Sequence, residues 1–448
     1  MEPARRPGDS GRVLRSTRDL TLLGISLGYF MVLLDMTVLA VAEPDLARSL
    51  HASVAGLQWT TTGYTVAFGA LLLSAGALAD RYGADRLFRA GVAAFGVLSA
   101  LSAAAPTVPA LVAARVLQGA AAAACVPASL ALIARLYPEP ARRTRAVGTW
   151  AAISGAAVAV GPVAGGVLVD LAGWRAVFLV NVPLAVVVLA LTAGAPAPVP
   201  ATDRRISWTA QAALVVAVAA GTDAVIAAGS ASWWHAAVAA GVAVAFFLVE
   251  RGSGAPVLPR SAWRSPGIPA ALFVGAAVTF ALNGTLFVLP LLLRHDRGLD
   301  AAGSGLALLP LTVPFVVNPP LTGRLVSRFG PRPPVLAGLG LLGAGCAGLA
   351  VAAWSAAGYV WLAAALLLAG VGVSLVLPAV VAAVLSSAAP AVAGAAGGLL
   401  NAVRQLGATA GVAAMGAFLH GGVRTGSGHA LALAAAMCLA AAAWFGAS

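Results

Sequence analysis

The chain has 448 residues, of which 60% are hydrophobic and only 9% charged, with a formal net charge of +12 and a mean hydropathy of +0.94. A soluble domain carries ~25% charged residues, so this composition excludes one and places the chain in lipid. All 27 basic residues are arginine, and the missing lysine argues against a nucleotide-binding P-loop, a Schiff-base cofactor and ATP-driven pumping by this chain alone.

With ~20 residues per bilayer crossing, the apolar runs between Gly, Pro and Arg punctuation predict an all-α integral membrane protein. Spans are expected at 20–43, 57–79, 88–105, 108–133, 146–169, 175–194, 207–229, 233–250, 268–293, 303–326, 334–354, 358–385, 394–419 and 428–446, fourteen in all. Both termini are expected in the cytoplasm, because that assignment puts most arginines inside and leaves Arg48, Arg175, Arg294, Arg297 and Arg424 outside. Trp174, Trp208, Trp233, Trp234, Trp354 and Trp361 then fall at predicted interfaces. The basic charge is topological, and a nucleic-acid partner is not needed to explain it. The opening stretch "FMVLLDMTVLAVAEP" (Phe30 to Pro44) resembles a secretory signal, but its apolar core is too long, contains Asp35 and precedes thirteen further spans. Cys125, Cys346 and Cys438 each lie in a separate apolar segment and the five histidines lie at or near segment ends, so neither a metal nor another cofactor is expected.

An internal repeat emerges from the loops. "GALADRYGADR" (Gly76 to Arg86) recurs as "GRLVSRFGPRP" (Gly323 to Pro333), and the pair Gly119 and Pro127 in span four recurs as Gly370 and Pro378 in span twelve. The offsets, 247 and 251 residues, nearly agree, which implies two homologous six-helix halves with two helices inserted between them. The expected organisation is a tail (1–19), a first bundle (20–194), a linker (195–206), two extra spans (207–250), a cytoplasmic loop (251–267) and a second bundle (268–446).

"LDMTVLAVAEP" (Leu34 to Pro44), "GALADRYGADR", "ARVLQGAAAA" (Ala114 to Ala123), "GPVAGG" (Gly161 to Gly166), "WRAVFLVNVP" (Trp174 to Pro183) and "NAVRQLGATAG" (Asn401 to Gly411) occur in that order. Together they resemble the major facilitator superfamily, and within it the fourteen-span drug:proton antiporters of the EmrB/QacA type. The resemblance covers nearly all of 20–446. It implies a non-enzymatic, proton-coupled exporter of amphiphilic small molecules in the cell membrane, expected to be monomeric, with substrate, protons and the lipid bilayer as its partners.

The residues give physical content to that expectation. Gly76, Asp80, Arg81, Gly83 and Arg86, with Gly323, Arg328 and Gly330 in the second copy, supply tight turns and charges that can latch helix ends in one state; a plain basic turn is the structural alternative. Ser327 stands where the first copy has Asp80. Gly161, Pro162, Gly165 and Gly166 give span five a kink and small surfaces, which by resemblance is the antiporter helix between the halves; Gly407 and Gly411 supply the matching surface in span thirteen. Asp35 and Arg115 lie at similar depth in spans one and four, and a charge there costs ~2.5–3.5 kcal/mol unless it meets a cavity or an opposite charge. Asp35 is therefore the expected proton carrier, with burial favouring the neutral acid and Arg115 the ionised one. A static structural pair is the alternative. Asp223 in span seven is the rival acid. Glu43 at the mouth of span one, Gln118 beside Arg115, and Arg404 in span thirteen are the candidate lining of a substrate cavity; Glu43 could also be a solvated helix end, and Arg404 a structural residue bonded to a neighbouring backbone. A nutrient symporter or facilitator is the second functional reading. A polytopic membrane enzyme is a third, but it would need a cluster of His, Asp or Ser at one membrane face.

Overall fold

The computed structural model describes residues 7–193, 207–227, 233–253, 267–387 and 393–447. The expected linker and most of the 251–267 loop lie outside the described residues. Within them all regular structure is helical, as an apolar medium demands of a backbone that must satisfy its own hydrogen bonds.

In chain order the helices are α1 (Pro7–Leu50), α2 (Val54–Tyr82), α3 (Ala84–Ala104), α4 (Val108–Leu136), α5 (Pro140–Ala172), α6 (Ala176–Leu179), α7 (Asn181–Leu191), α8 (Trp208–Ala227), α9 (Trp233–Gly252), α10 (Gly267–Arg297), α11 (Ala301–Ala307), α12 (Leu309–Thr312), α13 (Pro314–Val317), α14 (Pro319–Phe329), α15 (Arg332–Ser355), α16 (Tyr359–Ser387), α17 (Ala393–Ala417) and α18 (Val423–Ala447). Local chemistry sets their ends. The Ser53 and Thr107 hydroxyls cap α2 and α4 by accepting from the Gly56 and Ala110 N–H groups. Gly83 and Gly330, at φ +94° and +78°, make the turns after α2 and α14 that a side chain would strain.

Eleven helices among the described residues are long and apolar enough to cross a membrane, twelve if the bent α2 counts as one span. The protein is a multi-pass membrane protein. Two of the expected spans take other forms. The sixth is a shorter apolar segment over 176–191, made of α6 and α7, and the tenth expected span, 303–326, is broken into α11 to α14. The breaks fall beside Pro310, Pro314, Pro319 and Pro320, each of which lacks the N–H that would continue the ladder. The first helix does not stop at residue 43 but runs through Pro44 to Leu50. Trp174, expected at an interface, is buried at 4% exposure and packs edge-on against Phe178.

α1 packs along α5 and α7, α2 along α4, and α3 along α4 and α7; α10 packs along α17 and α18, and α15 along α16 and α18. The repeat seen in the loops recurs in this packing. A Cβ at Gly119 of α4 would collide with the carbonyl of Tyr64 in α2, and a Cβ at Gly370 of α16 with the carbonyl of Leu311 in α12. Arg81 lies over the Tyr82 ring as Arg328 lies over Phe329. Between the bundles α2 meets α17, α5 meets α11, and α1 meets α10. Helix α8 pairs with α9 and rests on both α2 and α17. Its Gln211 donates to the Ala70 carbonyl and accepts from the Ser74 hydroxyl, beside the 57° bend between Leu72 and Ser74. A bend in lipid disturbs the backbone ladder, and the Gln211 amide supplies a replacement partner.

Candidate functional site

The polar centre of the first bundle is built where α1 and α4 cross. Asp35 on α1 and Arg115 on α4 are both shut off from solvent, at 2% and 1% exposure, and form an ion pair through Asp35 Oδ2 and Arg115 Nη1. The other carboxylate oxygen, Oδ1, accepts from Gln118 Nε2 at 3.1 Å and Asn181 Nδ2 at 2.9 Å. Both amides also donate to Ser99 Oγ, at 2.7 and 3.3 Å respectively. Arg115 has further acceptors in Gln118 Oε1 at 2.8 Å and the Thr60 carbonyl at 3.3 Å. Its guanidinium lies 4.4 Å from the Tyr64 ring centre and 5.6 Å from that of Phe178. A buried charge is tolerable only when paired and hydrogen-bonded, and here both carboxylate oxygens and the guanidinium are provided for.

The structure thus brings Asp35, Arg115 and Gln118 together. Gln118, expected to line a cavity, is fully buried inside the ion network. Ser99 and Asn181 complete the cluster although the sequence reading assigned them no role. Asn181 stands in the quoted segment "WRAVFLVNVP", and its amide in an apolar run was the available signal.

Two other expected residues lie apart from this cluster. Glu43 is not a solvated helix end: α1 continues seven residues beyond it, and the side chain is 1% exposed with Oε1 accepting from Thr61 Oγ1 at 2.8 Å. Arg404 on α17 donates from Nη1 to Asn401 Oδ1 at 3.3 Å, and its buried Nε has no partner among the described residues. It forms no ion pair among the described residues. Tyr29 of α1 is stacked on Trp150 of α5 with ring centres 4.7 Å apart. The rival acid Asp223 sits near the end of α8, partly exposed, and pairs with His235 of α9.

The glycines of α5 divide their work between two neighbours. Gly161 and Gly165 admit Thr37 and Val38 of α1, while Gly166 admits the Ala301 backbone of α11 from the other bundle. Gly407 and Gly411 of α17 admit the Ala276 and Phe280 backbones of α10 in the same manner. Helix α5 remains continuous through Pro162. Of the loop residues, Gly83 and Gly330 adopt the turns described above, and Arg81 and Arg328 cover aromatic rings. Arg86 is in the first turn of α3, Asp80 in the last turn of α2, and Gly323 in α14, where a Cβ would meet nothing among the described residues within 4 Å.

At the end of the molecule marked by Leu50, the bundles are held together. Asp45 of α1 takes Arg294 of α10; the Asp170 carboxylate of α5 accepts from the Ala301 and Ala302 N–H groups at 3.3 and 2.8 Å. Gln58 of α2 donates to the Val412 and Ala413 carbonyls of α17 at 3.2 and 2.7 Å. Toward the opposite end of α5, a Cβ at Gly148 or Gly155 would meet no atom of the described residues within 4 Å.

The sequence profile described as Major Facilitator Superfamily matches residues 25–412. The chain belongs to the major facilitator superfamily. Among curated members it is 36% identical to the methylenomycin A resistance protein of Streptomyces coelicolor over 89% of this chain and 85% of that protein. It is 34% identical to the multidrug resistance protein Stp of Mycobacterium tuberculosis over 91% and 76%, respectively, and 34% identical to the tetracenomycin C resistance and export protein of Streptomyces glaucescens over 89% and 75%. Among solved structures, the facilitator fold is shared with a bacterial homologue of the human lysosomal transporter Spinster in an inward-facing conformation, at TM-score 0.70 and 18% identity over 96% of both chains. A POT family transporter shares it at TM-score 0.72 and 12% identity over 94% of both chains.

Proposed function

We propose that this facilitator is a proton-coupled exporter of amphiphilic drugs or natural products, working by alternating access without a cofactor and as a monomer. The observation that carries the reading is the sealed Asp35–Arg115 network in a chain related to proteins named for antibiotic resistance and export. In this reading the chain makes fourteen crossings with both termini cytoplasmic, and segments 20–194 and 268–446 are the moving bodies. The Leu50 end is then the outer end, and the shut Asp45–Arg294 and Asp170 contacts belong to an inward-facing state.

The network supplies a proton switch. Arg115 has two acceptors besides Asp35, the Gln118 amide oxygen and the Thr60 carbonyl. A rocking motion that transfers the guanidinium onto them leaves Asp35 a buried carboxylate without its counter-charge, which favours uptake of a proton. Restoring the pair releases it. Asn181 and Gln118 hold the carboxylate in place in both steps, and Arg404, Tyr29 and Trp150 line the path of the exported molecule. The Asp80–Arg81 loop and its second copy latch the inner ends, and the Gly161–Gly166 surface of α5 is the bearing between the bodies.

Deleting the gene from its host and re-expressing it tests export itself. Cells lacking the protein are expected to accumulate radiolabelled methylenomycin A, or another member of an antibiotic panel, at least several-fold above cells with the gene restored. Lower accumulation in the deletion strain overturns the reading in favour of import.

A further inference from the structure

Helix α1 carries a second acid inside the protein. Glu43 follows Asp35 by eight residues, which places it ~12 Å farther along the helix and ~80° around it. Oε1 accepts from Thr61, and Oε2 has no hydrogen-bond partner among the described residues. Leu39, Ala42 and Leu46 on its own helix are buried and apolar, as is Leu57, one helical turn before Thr61 on α2.

The ionisable groups of the surrounding elements are paired elsewhere, exposed, or at the far end of their helices. Asp45 holds Arg48 and, from α10, Arg294. Arg115 of α4 holds Asp35, and Asp170 of α5 holds the start of α11. Farther along α10, His295 pairs with Asp296, and Arg297 donates to the Ala357 carbonyl. Arg175 lies over Trp174, and His51 is exposed just beyond α1. Asp80 and Arg81 of α2, Arg135 of α4, and Arg142, Arg143 and Arg145 of α5 stand at the opposite end of their helices, while α6, α7 and α11 contain no ionisable side chain. Arg404 of α17 is bonded to Asn401. Glu43 therefore differs from Asp35 in kind. Among the described residues it has one neutral hydroxyl and no ion-pair partner, and burying an unpaired carboxylate is costly enough to favour the neutral acid.

We propose that Glu43 is a second proton-binding acid of the transport cycle, protonated while the Leu50 end is shut and open to exchange with water there when that end parts. The inference rests on the alternating-access reading and adds to it. Closing that end takes one proton from the bulk water on its side onto a carboxylate oxygen, so two carboxyls are loaded in each cycle rather than one.

The test is infrared spectroscopy of the full-length protein in lipid nanodiscs near neutral pH, where a protonated carboxyl shows its own C=O stretch. The expected band is present in the parent protein and in Asp35→Asn and is lost in Glu43→Gln. In Thr61→Val, which removes the hydrogen bond and keeps the acid should Glu43→Gln misfold, it moves to higher frequency. Opening the Leu50 end with the pair Asp45→Asn and Asp170→Asn is expected to lower the proton affinity of the group at least tenfold. Absence of the band in the parent protein, or its survival in Glu43→Gln, overturns the proposal. So does an ionised Glu43 whose replacement abolishes binding of the lipophilic cation tetraphenylphosphonium, which assigns the residue to cation recognition. Should Asp35→Asn retain full proton-driven transport, the exporter mechanism fails while the Glu43 band stands, so the two failures are distinguishable.

Discussion

The two bundles repeat each other in packing and part company in chemistry. Gly119 and Gly370 make the same close approach to a neighbouring carbonyl, yet at the offset that relates them, Arg115 and Gln118 of the first bundle correspond to Leu366 and Ala369 of the second. By the loop offset Ser99 corresponds to Cys346. All three counterparts are buried. The fold is therefore satisfied by an apolar core at these positions, and the charged network is not a requirement of packing. Since a buried ion pair contributes little net stability over a well-packed apolar substitute, its presence in one bundle alone among the described residues points to a task.

Making the first bundle resemble the second at its centre gives the largest expected effect. Arg115→Leu strands the Asp35 carboxylate and is expected to cost about 3–5 kcal/mol in thermal or denaturant unfolding. Asp35→Leu combined with Arg115→Leu is expected to recover most of that stability and no proton-coupled transport. A smaller loss, about 1.5–3 kcal/mol, is expected for Asn181→Ala, which removes one hydrogen bond to the charged group. Where the bundles agree, the effects should agree: Gly119→Ala and Gly370→Ala are each expected to cost about 1–3 kcal/mol by overpacking, and comparison of their melting curves checks the symmetry. Tyr64→Phe keeps the ring over Arg115 and loses only the 3.4 Å bond to the Val32 carbonyl, so a change of about 0.5–1 kcal/mol is expected.

What was legible in the sequence follows the same division. Charges inside apolar runs are costly enough to be conspicuous, so Asp35 and Arg115 could be matched by depth alone. Ser99 and Asn181 could not, because neutral polar residues are common in membrane helices and their selection depends on which helix faces turn inward. Long uniform apolar runs such as 334–354 gave their helices directly. The Pro310, Pro314, Pro319 and Pro320 series carried the signal for the broken α11 to α14, which hydropathy alone passes over. Glu43 was visible as an acid, but its burial depended on α1 continuing through Pro44, a position at which a helix commonly ends.

The central claim is tested most directly in proteoliposomes with a defined pH gradient, using a compound that the cells are shown to export. Asp35→Asn is expected to abolish gradient-driven accumulation while equilibrium exchange of the labelled compound continues, because the helix bundles remain and only the Arg115-paired proton site is gone. Accumulation at the parent's rate in that variant would contradict the account.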